Sequence, residues 1–320
     1  MILGGIFMKR ALVLGASGGM GYSIVNELTD RGIEVIAFAR TKKKLEKLFS
    51  AKQNVTIFTG DIFKLEDLME AATNVDIIFQ AANIPYPEWE EKLANFIGQV
   101  VQVTETKNIK LALVDNIYAY GKNPGVKVNE QTPKNPHTKK GNIRLQVANM
   151  VMQANNKSFI AHFPDFYGPN AENTLLHYTL QRALANKPSI YIGNQKIARE
   201  FIFTPDGAKA LVELALNETS YGEEWNIPGH SVITGEEIVK IIRELTGYNK
   251  KVFTVTKSMI QMLGLFNPMM REVVELFYLN EDPVVLSGEK FERRIGPLPR
   301  TSYYDGLKQT IDYMRGTVKV

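Results

Sequence analysis

Between residues 9 and 163 the chain alternates short apolar runs with longer amphipathic stretches. The runs at 11–14, 34–39, 55–58, 76–80, 110–114 and 158–163 have the length of buried strands. The stretches at 20–31, 65–72, 89–106 and 139–155 carry apolar residues at helical spacing. Six strands with five crossovers predict an α/β fold built on a doubly wound parallel sheet.

Past Gly168 and Pro169 the strict alternation ends. A helix is expected at 171–186, a short strand at 190–192 and another apolar run at 200–203. The Thr234 to Glu237 segment reads as a capping box opening a helix that stops near Gly247, with a further strand at 251–255. The tract 259–279 holds Met259, Met262, Met269 and Met270 among Leu263, Leu265, Phe266, Leu276 and Phe277. It reads first as core or subunit contact, and alternatively as a substrate lid. Two units follow: a dinucleotide-binding domain at 8–170, to which 198–230 returns, and a smaller α/β substrate domain at 171–320.

Composition narrows the function classes. The chain is 44% hydrophobic and 22% charged, as soluble globular chains are. It has no cysteine, which excludes disulfides, thiol nucleophiles and Cys-based zinc sites and agrees with a cytoplasmic location. A formal charge of +4 is spread over short basic groups, so no nucleic-acid partner is expected. His137, His162, His177 and His230 are not paired at metal-ligand spacing, and no metal is expected. Residues 1–7 are apolar but too short for a membrane span or signal peptide, and read as an extension. No other apolar run is long enough to span, so no membrane partner is expected.

The first loop carries the clearest chemistry. Gly15, Gly18 and Gly21 recur every third residue after a strand and at the opening of a helix. Glycine there lets the chain turn sharply, admits a pyrophosphate to the backbone and allows close helix–sheet packing. The helix N-terminus then offers N–H groups and partial positive charge to the phosphates. The cofactor-binding set is thus Gly15, Ser17, Gly18, Gly19, Met20 and Gly21. Arg40 stands 19 positions after Gly21, where a carboxylate would serve the ribose hydroxyl of NAD. A guanidinium suits a 2′-phosphate instead, which favours NADP(H) over NAD(H); a solvated helix start is the alternative.

Further matches surround this loop: Gly60 and Asp61, Ala81 to Asn83, Tyr120 and Gly121, Phe163 to Pro169, and Arg199 to Asp206. Together they resemble the extended short-chain dehydrogenase/reductases, in particular the NAD-dependent epimerase/dehydratase family acting on nucleotide sugars. The resemblance implies a Rossmann domain with a smaller substrate domain, and a small-molecule substrate such as a nucleotide sugar. It places Asp61 and Ile62 beside the adenine, Ala81, Ala82 and Asn83 along the cofactor ribose, and Pro164 and Phe166 near the nicotinamide. It places Arg199 at a nucleotide-sugar diphosphate, an ion pair with Glu200 or another acid being the alternative. Tyr86, Trp89 and Asn170 complete the substrate side. The family often forms homodimers through the helices at 89–106 and 139–155. Their apolar positions Leu93, Ile97, Val100, Ile143, Val147 and Val151 suit core or interface equally.

The family's working residues, a Ser or Thr and a Tyr-x-x-x-Lys, are altered. Counting back from Tyr120 puts Asn116 at the Ser/Thr position. The helix register puts Lys140 at the Tyr and Arg144 at the Lys. Arg144 can still donate to a ribose, whereas Lys140 would need a strongly lowered pKa to exchange a proton near neutrality. Tyr118 is the nearest phenol to the expected site, and Tyr86 and Trp89 on the loop after the fourth strand are alternative substitutes. Two readings follow: an NADP(H)-dependent epimerase, dehydratase or reductase with catalytic residues among Asn116, Tyr118, Lys140 and Arg144, or a non-catalytic NADP-binding sensor or scaffold.

Overall fold

The computed structural model describes residues 8–123 and 125–316, so the extension read at 1–7 lies outside the described residues. The first half runs β1 (Arg10–Leu14), α1 (Gly19–Asp30), β2 (Glu34–Ala39), α2 (Lys42–Phe49), β3 (Val55–Thr59), α3 (Leu65–Ala71) and β4 (Ile77–Gln80). It continues with α4 (Trp89–Lys107), β5 (Lys110–Asn116), β6 (Lys127–Val128), α5 (Lys139–Gln153) and β7 (Ser158–Phe163). The second half adds β8 (Asp165–Tyr167), α6 (Leu175–Leu184), β9 (Ser189–Ile192), β10 (Arg199–Phe203), α7 (Thr204–Ala215), β11 (Glu224–Asn226), β12 (Val232–Ile233) and α8 (Gly235–Thr246). Then come β13 (Val252–Val255), α9 (Lys257–Gly264), α10 (Pro268–Val273), α11 (Tyr278–Glu281), β14 (Val285–Leu286), α12 (Glu289–Arg294) and α13 (Tyr303–Met314).

Seven strands form one parallel sheet in the order β11-β7-β5-β4-β1-β2-β3. Its strands are apolar because both faces are covered. Leu12, Leu14, Ile36, Phe38, Leu111 and Leu113 face the layer of α3, α4 and α5. The alternate residues Ala11, Val13, Val35, Ala37, Phe79 and Ala112 face α1 and α7. β1 lies between β2 and β4, so the chain winds outward in both directions and opens a crevice above their carboxyl ends. The α4 and α5 residues Leu93, Ile97, Val100, Val147 and Val151 point into this layer and belong to the core.

β11 pairs with β7 and α7 packs on α1, so the segment from 204 to 226 completes the large sheet. The remaining elements build a smaller unit around β12-β10-β8 and the β13–β9 pair. α8 opens on the full Thr234–Glu237 capping box and ends on Gly247 at φ 70°. α6 begins at Leu175, later than expected, because Thr174 caps it and the residues before it lie against the glycine loop.

The Met-rich tract departs from the core reading. Asn267 and Pro268 break it, separating α9 from α10. Its later part is core, with Leu276, Phe277, Tyr278 and Leu279 buried, but α9 turns only Ile260 and Gly264 inward.

Candidate active site

The crevice above β1 is walled by backbone. Gly15 sits at φ 78° and both it and Ala16 donate N–H bonds to Phe38 O of β2, at 3.1 Å each. A Cβ on Gly15 would lie 2.5 Å from Ala82 Cα, and one on Gly21 would lie 2.2 Å from Gly15 O. The loop therefore admits no side chains at these two points. Gly18 caps α1 without a side chain and the first turn carries no acid, so its N–H groups face the crevice uncompensated. A dinucleotide pyrophosphate fits this cradle.

The flanking residues arrange themselves as follows. The Gln80 side chain brackets Ala82, donating to its O and accepting from its N–H at 2.9 Å each, which sets Ala81 and Ala82 under Gly15; Asn83 is exposed beyond them. The Asp61 carboxylate accepts from Phe63 N at 3.1 Å, beside buried Ile62. Arg40 is exposed at the end of β2. Pro164 is buried, and the Phe166 ring lies edge-on to Phe163 at 5.8 Å. Asn170, expected on the substrate side, instead donates to Ser17 O at 3.1 Å and accepts from the Tyr313 hydroxyl at 3.4 Å. At φ 57° it takes the left-handed conformation that Asn tolerates, and this turns its amide back onto the glycine loop.

At the carboxyl ends of β4, β5 and β7 lies a buried polar cluster. The hydroxyls of Tyr86 and Tyr118 are 2.7 Å apart. Burial raises both phenol pKa values, and neighbouring Asp165 adds to the rise. Trp89 stands between this pair and α5, with the Arg144 guanidinium over its ring at 4.3 Å. Arg144 pairs with Asp115 at 3.2 Å, and its Nε is buried with no hydrogen-bond partner. The Asn116 carboxamide oxygen accepts from Tyr118 N at 3.0 Å, so this side chain fixes the turn that presents the phenol.

Lys140 stands in the first turn of α5. Its ammonium is almost wholly buried, binds Glu272, and donates to Glu275 at 2.8 Å. Two carboxylates meet it there. They come from α10 and the single turn after it, so the tract beyond Pro268 closes onto the site. Arg199 is buried and bonded to Asp165 and Asn280, with its guanidinium 5.3 Å from the Phe201 ring.

Behind Arg144 a row of charges runs into the sheet. His162, fully buried, has Nδ1 3.4 Å from Asp115 and Nε2 2.6 Å from Glu224. Burial opposes its charge, but the two carboxylates outweigh it and raise the imidazole pKa. Burial likewise opposes the charge of Asp115, but Arg144 and His162 bring its pKa down. Glu224, despite its burial, is held down to about 2 by His162 and Lys134. Sequence reasoning missed Asp115, His162, Asp165, Glu224, Glu272, Glu275 and Asn280. Two signals were present: Glu272 and Glu275 stand one helical turn apart in an apolar tract, and His162 interrupts an apolar strand.

Fold and cradle define a class, an α/β protein built to hold a dinucleotide above the point where the strand order of its parallel sheet reverses. The chain belongs to the NAD-dependent epimerase/dehydratase family, whose sequence model matches residues 11–228. It is similar to the photosystem II assembly factor Ycf39 of Synechocystis, 24% identical over 80% of this chain and 74% of that protein. It is also similar to the human decarboxylating sterol-4-alpha-carboxylate 3-dehydrogenase, 24% identical over 96% of this chain and 88% of that one. Among solved structures, dTDP-glucose 4,6-dehydratase from Bacillus anthracis, in complex with NAD, superposes with a TM-score of 0.79 at 19% identity, covering 96% of this chain and 97% of that one. UDP-glucuronic acid 4-epimerase from Bacillus cereus, in complex with UDP-glucuronic acid and NAD, gives 0.79 at 17%, covering 97% of this chain and all of that one. These superpositions bear on the fold.

Proposed function

We propose that the protein is an NADP(H)-dependent enzyme that moves a hydride to or from a carbonyl or hydroxyl carbon, with the Tyr86–Tyr118 hydroxyl pair handling the proton. The observation that carries this reading is the pair itself, two phenols 2.7 Å apart at the carboxyl ends of β4 and β5, beside the glycine cradle. When bound, the nicotinamide supplies or accepts the hydride. Gly15, Ser17, Gly18, Gly19, Met20 and Gly21 hold the pyrophosphate, with Asn170 bracing Ser17 from behind. Asp61 and Ile62 take the adenine, Ala81, Ala82 and Asn83 the ribose side, and Pro164 and Phe166 the nicotinamide.

Arg40 suits a ribose 2′-phosphate. The unpartnered Arg144 Nε suits a nicotinamide-ribose hydroxyl, since a buried donor without an acceptor costs about 1–3 kcal/mol until one is supplied. With burial raising its pKa, the Tyr118 phenol acts as a proton donor to an alkoxide forming at the substrate carbon. Asn116 positions Tyr118, while Lys140 is held by two carboxylates.

A nucleotide sugar is the substrate class suggested by the dehydratase and epimerase relatives. Arg199 suits a diphosphate by its bidentate shape, and its guanidinium is bonded to Asp165 and Asn280. The outer groove between α4 and α5, lined by Val101, Leu145 and Met150, offers a surface for a homodimer. A second reading, a non-catalytic NADP sensor or scaffold, is favoured by the double carboxylate clamp on Lys140.

NADPH oxidation against a panel of nucleotide sugars and simpler carbonyls separates the two. Tyr118→Phe should lower turnover ~10²–10⁴-fold with the NADPH-induced rise in melting temperature retained. A wild-type protein that is stabilised by NADPH yet transfers no hydride belongs to the sensor reading.

A further inference from the structure

We propose that the α9–α10 hairpin is a membrane-surface dock whose apolar tip enters the headgroup layer of a bilayer rich in anionic lipid. Among the described residues the tip holds out large apolar side chains that stay uncovered: Met262 is 61% exposed, Leu265 70% and Phe266 89%, with Met259 and Leu263 beside them. A water-soluble surface seldom gathers so many in one place without a use for them.

The hairpin is built, not frayed. The Thr256 side chain caps α9, and Asn267 Oδ1 caps α10 by accepting from Met269 N at 2.9 Å and Met270 N at 3.3 Å. Arg271 Nε donates to Gly264 O at 3.2 Å and ties the two helices together. Folding thus fixes Leu265 and Phe266 at a convex turn.

Charge selects the occupant. Residues 250–271 include Lys250, Lys251, Lys257 and Arg271 and no Asp or Glu. On neighbouring β13, half-exposed Phe253 has the Lys251 ammonium 4.9 Å from its ring centre. Apolar side chains at the tip with cations behind them match an anionic lipid surface, where the tip enters the acyl boundary and the cations meet phosphates. A second copy would bring the same cations together across a two-fold axis. The contact is interfacial, because no helix among the described residues is long and apolar enough to cross a membrane. The sequence held no spanning run, and a surface dock needs none. Glu272 of α10 and Glu275 in the turn after it bind Lys140, so docking would set the cleft against the bilayer.

The test is flotation of the full chain with vesicles of phosphatidylcholine alone or with about one third phosphatidylglycerol. Binding is expected with the anionic vesicles and to be weaker in high salt. The Leu265→Ser, Phe266→Ser double variant should bind on the order of tenfold or more weakly, with an unchanged melting temperature. Phe266→Trp supplies a second measurement, an emission blue shift on adding anionic vesicles. No flotation with anionic vesicles, or equal flotation of the double variant, overturns the proposal. So does a wild-type dimer that the double variant converts to monomer.

Discussion

Glu200 lies on β10 beside Arg199, is 5% exposed, and accepts from Leu286 N at 3.0 Å, joining β14 to β10. Burial raises its pKa from 4.5 to about 7, although the amides of Leu286 and Gly229 and the more distant Lys127 and Arg300 pull the other way. The folded protein therefore holds this proton more tightly than the unfolded chain does. Its stabilising contribution is complete below about pH 4.5 and is lost as pH rises through about 7. A gap of about 2.5 pH units corresponds to about 3 kcal/mol. Glu200→Gln removes the titration and keeps a carbonyl oxygen to accept from Leu286 N. Urea unfolding from pH 5 to 8.5 should show the variant gaining on wild type by up to about 3 kcal/mol across that range. His162, whose pKa is also raised, loses its own contribution as pH rises, but equally in both proteins, so the difference isolates Glu200. Parallel stability curves would refute the reasoning.

Three further outcomes follow from the same geometry. Gly21→Ala drives a Cβ into Gly15 O, so the variant should fold but lose most of its dinucleotide affinity, as titration calorimetry would show. Asp115→Asn strips the carboxylate from buried Arg144 and His162 and should cost about 3–5 kcal/mol in urea unfolding; a cost under about 1 kcal/mol would mean that the row of charges is weakly coupled. Arg40→Ala should weaken NADP binding roughly 10–100-fold, the worth of a charge-assisted bond, and leave NAD binding unchanged.

The large sheet was legible because parallel strands covered on both faces read as uninterrupted apolar runs, and all six expected strands lie in it within two residues of their ends. The glycine loop was legible because only glycine satisfies its close approaches. β6, β8, β12 and β14 are two or three residues long, too short for any periodicity, and tertiary pairing alone defines them. The apolar tract at 259–279 failed as a core prediction for α9 because hydrophobicity says which residues avoid water and not whether the fold leaves them a place. The polar cluster was half legible. Asn116, Tyr118, Lys140 and Arg144 came from register, but Asp165, Glu272 and Glu275 reach them from segments 25 or more residues past Lys140, a proximity that spacing along one element cannot reveal.

The reading proposed above has the cleft at the carboxyl ends of the sheet hold NADP(H) and a substrate together. Thermal melts with NADPH or NADH, each alone and with a panel of nucleotide sugars, test it most directly. At 100 times its dissociation constant a ligand stabilises the folded chain by ~2.7 kcal/mol, a readily resolved rise. The account predicts a rise with NADPH that exceeds the rise with NADH, and a further rise when one substrate joins NADPH. A melting temperature that moves with neither dinucleotide would contradict it.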